Sequence, residues 1–380
     1  MKRIAYTSII LVFLLVMSTG AGAAVEKTTT AAAATAATLE SDDKSLSVQK
    51  AQVIALDNSR QAVVDDLDIK AKKSALTKLK KDADELKDAY GYENLLNNRI
   101  IKEVDVIQAE NAIEIAKMIK RDNSTQLRLQ VSETFQNILL AQKELEMEEE
   151  KLAISKELFD FAKSRFAANS ITSDELDTAE YNYLSKSFDL EAVQDKCDVL
   201  YMNLKILLNL PLESELPELE GTIELLDFKK LDINKVAVEN EEQDKDIFTK
   251  LCDYNAAKKK MELTAEYFIT GIEQYDSSKA ALEAALRDYE SVRRNREVKI
   301  KNSYNNILNK KDSVELSGKY KELQSKKLDN VKIRYDKGYV NKEAYLREKQ
   351  NYLDAIYNED VLICDINLQI NEFLSIINAE

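Results

Sequence analysis

The chain has 380 residues, of which 32% are charged, with 7 Gly, 2 Pro, no His, no Trp and a formal net charge of −14. So few turn-forming residues exclude an α/β or all-β fold, and the Ala-, Glu-, Lys- and Leu-rich remainder is that of long helices packed side by side. The acidic balance excludes nucleic acid as a partner.

Residues 1–24 read as a signal peptide. Lys2 and Arg3 precede an apolar run from Ile9 to Met17, too short to span a bilayer, and small residues end it at Ala21-Gly22-Ala23-Ala24. An uncleaved anchor is the alternative. Export is expected, to the periplasm or cell surface, and loss of residues 1–24 moves the formal charge to −16. Residues 25–43 form an Ala/Thr-rich lead-in.

A repeat begins after that. Shifting the chain by 169 residues places FQNILLAQK, from Phe135, on YNNILNKKD, from Tyr304, and Arg165 on Arg334, Phe166 on Tyr335, Tyr183 on Tyr352 and Asn209 on Asn378. LSVQKAQVIALDN from Leu46 matches LDINKVAVENEEQ from Leu231 at an offset of 185. A first repeat is expected over 44–210, a linker with both prolines over 211–230, and a second repeat over 231–380.

Inside each repeat the apolar period is seven. Ile138, Leu145, Leu152, Phe159 and Phe166 make one seam, Leu176, Tyr183, Leu190, Cys197 and Leu204 a second, and Ile356, Ile363, Ile370 and Ile377 a third. That narrow period suits antiparallel coiled-coil hairpins. Helix is expected unbroken from about Val104 to Ala168, answered by a partner from Ser173 to about Leu210, with an outbound helix from Leu46 and a return between Asp88 and Arg99. Cys197, Cys252 and Cys364, widely spaced among apolar neighbours, read as small core residues.

The hairpin turns carry one phrase twice, RFAANSITSDEL from Arg165 and RYDKGYVNKEAY from Arg334. Asn169 and Gly338 tolerate the left-handed conformation that stops a helix, and Arg165 and Arg334 stand in the last turn, where a cation favours the C-terminus. Thr172 with Glu175 three residues on is a capping box; Asn341 can cap, but Ala344 replaces the reciprocal acid.

With these residues in place the chain resembles the TolC-type outer-membrane efflux family. The likeness rests on Leu46-Ser47-Val48 through Ala55-Leu56-Asp57-Asn58, on Arg165-Phe166 through Asn169, Thr172 and Glu175, on Leu207-Leu208-Asn209-Leu210-Pro211, and on Arg334-Tyr335 through Gly338 and Asn341. The resemblance implies a trimer whose hairpins form a helical tunnel. Its tips would meet a membrane-fusion-type adaptor of an export pump through Arg165, Asn169, Ser170, Thr172, Glu175, Arg334, Gly338, Tyr339 and Asn341.

One departure is expected. The family carries two membrane-spanning strands per repeat between its first two long helices. Neither corresponding interval here, DELKDAYGYENLLNNRIIKEVDVIQAENAI or LTAEYFITGIEQYDSSKAAL, contains two strands of nine to eleven residues of alternating apolar character. Glu93, Lys102, Glu103 and Asp105 would face lipid. The expected fold is therefore all-α, two tandem hairpins without a barrel. The functional alternatives are a conduit or docking element of an export system and a coiled-coil spacer of the cell surface. No enzyme is expected: there is no Cys-x-x-Cys pair, glycine-rich phosphate loop or G-x-S-x-G turn, and no cofactor or metal is implied. Carboxylate runs such as Glu146 to Glu150 read as solvated helix faces.

Overall fold

Ser, Thr, Asp and Asn side chains cap six of the nine α-helices among the described residues, and long stretches without Gly or Pro extend them. The computed structural model describes residues 45–86, 90–239 and 241–377. The expected signal peptide, the Ala/Thr-rich lead-in, Asp88 and Asn378 lie outside the described residues. A three-residue strand, β1 (Ser45–Ser47), leads into α1 (Val48–Asp57), whose Lys50 N–H donates to Ser47 Oγ at 3.4 Å. After Asn58, Ser59 caps α2 (Arg60–Asp84), its Oγ accepting from Ala62 N–H at 3.2 Å. The chain turns back through α3 (Tyr92–Ile100) and a π-helical turn, Ile101–Asp105, into α4 (Val106–Ala167). Residues 92–167 thus make one helical path, about 110 Å long at about 1.5 Å per residue.

α5 (Ser173–Leu207) returns along α4. The connection that follows carries a second short strand, β2 (Glu218–Glu220), and leads to α6 (Ile233–Val236) and a 3₁₀ turn, Glu241–Gln243. Then come α7 (Lys245–Tyr267), α8 (Glu273–Asp336) and α9 (Lys342–Ile376). The described residues form one compact unit.

The helices lie four abreast. α4 and α8 run the full length; toward their C-terminal ends the lateral order is α5, α4, α9, α8, and toward the other end α2 and α7 take the places of α5 and α9. The sevenfold seams hold the hairpins: Ile138, Phe159, Cys197, Leu204, Ile370 and Ile377 are buried, Leu145, Leu152, Leu176, Tyr183 and Leu190 half-buried. Each fully buried aliphatic side chain contributes about 1.5–3 kcal/mol. Phe166, last on its seam, is 42% exposed where the hairpin opens. All three cysteines are buried and unpaired, as their apolar setting implied.

The waist is knotted by the inter-hairpin strap. Phe228 packs on Tyr304 and Phe373, and Asn367 accepts from Leu226 N–H at 2.9 Å while donating to Glu224 O at 2.8 Å. Gly221 passes so close to α4 that a Cβ would sit 2.8 Å from Leu139 Cδ1.

Three features depart from the sequence reading or add to it. β1 and β2 pair in parallel, Leu46 opposite Leu219, both buried; this small sheet at the waist joins segments 173 residues apart, a pairing with no local signal. The Glu146–Glu150 run is not all solvated: Glu148 is 7% exposed and lies against Lys151 (2.9 Å) and Lys186 (3.2 Å), because α4 has neighbours on both flanks. The hairpin turns also have a lateral neighbour, since α9 starts beside the last turns of α4, with ion pairs Lys342–Glu157 and Lys349–Glu150.

The barrel intervals are as expected. Glu93, Lys102, Glu103 and Asp105 lie on α3 and the π turn, and the second interval is the end of α7, a turn at 268–272 and the start of α8. Among the described residues β1 and β2 are the only strands, and no helix is long and apolar enough to cross a membrane.

Candidate functional site

Both turns are built by the same backbone chemistry. At the first, Asn169 adopts φ 53°, its N–H donates to Phe166 O at 2.8 Å, and Ser170 N–H donates to Arg165 O at 2.8 Å. At the second, Gly338 has φ 73°, with Gly338 N–H to Tyr335 O and Tyr339 N–H to Arg334 O, each 2.8 Å. This is the Schellman stop, which satisfies carbonyls a helix end leaves bare.

The next helix starts at once. Glu175 N–H donates to Thr172 Oγ1 at 3.3 Å and Thr172 N–H to Glu175 Oε2 at 2.8 Å, so the capping box is complete. The Thr172 backbone N–H, and then its hydroxyl, hold the Glu175 carboxyl below the usual carboxylate range. Asn341 Oδ1 accepts from Ala344 N–H at 2.9 Å and, with no acid at the third position, caps from one side only.

Of the residues the sequence singled out, Asn169, Ser170, Thr172, Glu175, Arg334, Gly338, Tyr339 and Asn341 are exposed, and Arg165 is half-buried. They do not form one cluster. Arg165 and Glu175 meet across a groove of about 610 Å³ between α4, α5 and the start of α9. Ser170, Thr172, Arg334, Gly338, Tyr339 and Asn341 are not among its lining residues. Tyr339 stands 74% exposed.

The groove includes residues the sequence reading missed: Phe161, Lys186, Glu343 and Arg347. Glu343 reaches Arg165 at 3.9 Å and Arg347 at 2.8 Å, so one carboxylate ties the two hairpins together. Its local signal was the i, i+4 pair Glu343 and Arg347 immediately after the cap. Three cations (Arg165, Lys186, Arg347) and three carboxylates (Asp174, Glu175, Glu343) line the groove. Balanced, half-apolar walls suit a polypeptide of mixed charge rather than a polyanion. Aromatic pairs brace each hairpin just inside its turn: Phe159 stacks on Tyr183 at 5.8 Å and Tyr335 on Tyr345 at 5.4 Å.

A second surface lies along the outer helices. On α5, Tyr181, Leu184, Phe188, Val199, Met202 and Ile206 are all at least 45% exposed. At about 100° per residue they fall within about 60° of one another, opposite the seam with α4. α8, the other outer helix, exposes Leu316, Tyr320 and Leu323 on its side away from α9.

No family model and no curated protein sequence matches the chain. Solved structures do. A crystal structure of CusC superposes with a TM-score of 0.68 at 13% identity, covering 87% of this chain and 91% of that one. The outer-membrane channel OprN gives 0.67 at 11% identity over 88% and 90%. The Campylobacter jejuni CmeC outer membrane channel gives 0.60 at 11% over 87% and 85%. At such identities the likeness is one of fold: the chain has the TolC-type fold, in its helical part and without a barrel.

Proposed function

We propose that the chain is an exported, TolC-like helical protein of the cell envelope, a conduit or docking component of an efflux or export system, and that it works as a closed homo-oligomer, a trimer by resemblance. The observation that carries this reading is the unpartnered apolar stripe on each outer helix. An α5 stripe laid against the α8 stripe of a second copy is a head-to-tail contact, and such contacts close into rings when the rotation allows. Side by side, copies would continue the four-helix layer as a curved wall, with the turns of every copy at one end. The outer membrane channels sharing the fold support an envelope location and an efflux-related role.

In this reading the turns and the groove beside them are the contact for a membrane-fusion-type adaptor. Rigid, exposed tips stopped and capped within five residues present a fixed surface, and the balanced groove accepts a helical segment of mixed charge. No chemistry on substrate is assigned to the chain.

Light scattering on residues 43–380 tests the assembly. A closed oligomer is expected, and Leu184→Glu with Phe188→Glu is expected to return it to a monomer. A wild-type chain that stays monomeric at high concentration leaves the spacer reading. A photo-crosslinker at 169 and at 338 is expected to capture one common adaptor-like protein; capture at neither position removes the docking role.

A further inference from the structure

The end of the molecule opposite the hairpin turns carries a different surface. Two tips lie next to each other there, residues 90–91 entering α3 and residues 268–272 joining α7 to α8. Gly91 (φ 89°) and Gly271 (φ 90°) make both bends, and neither has any atom within 4 Å of where a Cβ would stand. Tyr92 and Tyr267 place their rings 6.2 Å apart, and Arg99 binds Glu266 across the gap and Glu103 at 2.8 Å. Behind them Leu96, Val104 and Leu263 form a small core, with Tyr267 and Phe268 packed on it.

What projects beyond that core is apolar. Tyr90 is 95% exposed, Ile269 74%, Tyr92 68% and Ile272 41%. Isolated exposed hydrophobics are ordinary; four on two adjoining tips are a patch. The charged side chains in 90–94 and 266–276 are acidic; Glu266 is neutralised by Arg99, which leaves Glu93, Glu273 and Asp276 as the collar.

We infer that this end is an interfacial membrane contact, in which Ile269 and Ile272 enter the headgroup region of an electrically neutral bilayer and Tyr90 and Tyr92 lie at its surface. The two tips stand free, with no atom within 4 Å of a Cβ at Gly91 or Gly271, so a protein partner would need a matching hollow, whereas a fluid interface accommodates a projecting tip without one. Tyrosine has the apolar body and polar end that suit the headgroup level. The acidic collar repels an anionic surface, and it repels the same collar on a second copy placed end to end. Insertion of this kind reaches about 5–10 Å and is shallow and reversible. The contact is a property of the single chain and stands whether or not copies assemble.

The absence of tryptophan supplies the test. Residues 43–380 with Ile269→Trp carry one indole, and phosphatidylcholine vesicles are expected to blue-shift its emission, with brominated acyl chains quenching it. Phe188→Trp on α5 is the control and should neither shift nor quench. In flotation of the chain without tryptophan, Ile269→Ser with Ile272→Ser should cut the vesicle-bound fraction about ten-fold. Emission at 269 that ignores vesicles overturns the inference. So does a shift that grows with protein concentration alone, equal quenching at 188, or binding confined to anionic vesicles.

Discussion

Lys151 on α4 places its ammonium 2.5 Å from the Asp354 carboxylate on α9 and 2.9 Å from Glu148, with its own side chain only 9% exposed. This is the lateral weld between the hairpins. Glu148 in turn meets Lys186 on α5 at 3.2 Å, so three helices share one ionic network. Lys151 and Glu148 are its buried members, while Asp354 is half exposed, so removing Lys151 weakens the network without stripping Glu148 of every cation. Lys151→Ala, which leaves Glu148 with Lys186 and Asp354 in water, is expected to lower unfolding free energy by about 1–2 kcal/mol, and Lys151→Met with Glu148→Gln to recover most of it. Denaturant unfolding of the two variants measures both; equal losses would show that packing, not charge, holds this layer.

The two tips differ in one carboxylate. The Glu175 carboxyl is held below its usual range by the Thr172 N–H and hydroxyl, so its contribution is present above the unfolded carboxylate value and lost as pH falls through the lower folded value. The Thr172 amide shift in NMR should therefore titrate with Glu175 in acid and stop doing so in Glu175→Gln. The Ala344 amide, bound to the Asn341 side-chain amide, should not show that step. Thr172→Ala and Asn341→Ala should each cost about 1 kcal/mol, read as faster exchange in the first turn of α5 or α9.

Gly338 is positioned by its backbone, not by crowding: φ is 73° and a Cβ would meet nothing within 4 Å. Gly338→Ala is expected to cost about 1 kcal/mol from left-handed strain alone, and Asn169→Gly to be neutral or slightly stabilising. Thermal unfolding checks the pair, and a large loss in Asn169→Gly would mean that the Asn169 side chain has a partner of its own.

The strap offers the opposite case. At Gly221 an added Cβ would press on Leu139 at 2.8 Å and Phe135 at 3.4 Å, so Gly221→Ala should destabilise by about 1 kcal/mol through crowding. Asn367→Leu, which strands Leu226 N–H and Glu224 O, should cost about 2 kcal/mol. Limited proteolysis between residues 211 and 230 should accelerate in both variants.

Burial raises the Cys364 thiol to about 11 and lifts Cys197 and Cys252 as well. Because the thiolate is the reactive form, a disulfide reagent at pH 8 should label none of them in the folded chain and all three after denaturation. Rapid labelling of Cys364 in the native protein would mean that the waist opens.

The sequence by itself determined the features whose causes lie within a few residues: the helix stops at Asn169 and Gly338, the caps at Thr172 and Asn341, the sevenfold seams, and the missing alternation that membrane strands need. In each case the backbone hydrogen bonds or the periodicity close within one or two turns, so the residues carry the signal locally. The tertiary structure alone decided which helix lies beside which. Glu148 and Lys151 look like solvated charges until α9 covers them, Leu46 finds Leu219 across 173 residues, and Glu343 joins a groove only because α9 begins next to Arg165. Such contacts depend on the matching of surfaces remote in sequence, and no short pattern of residues records it.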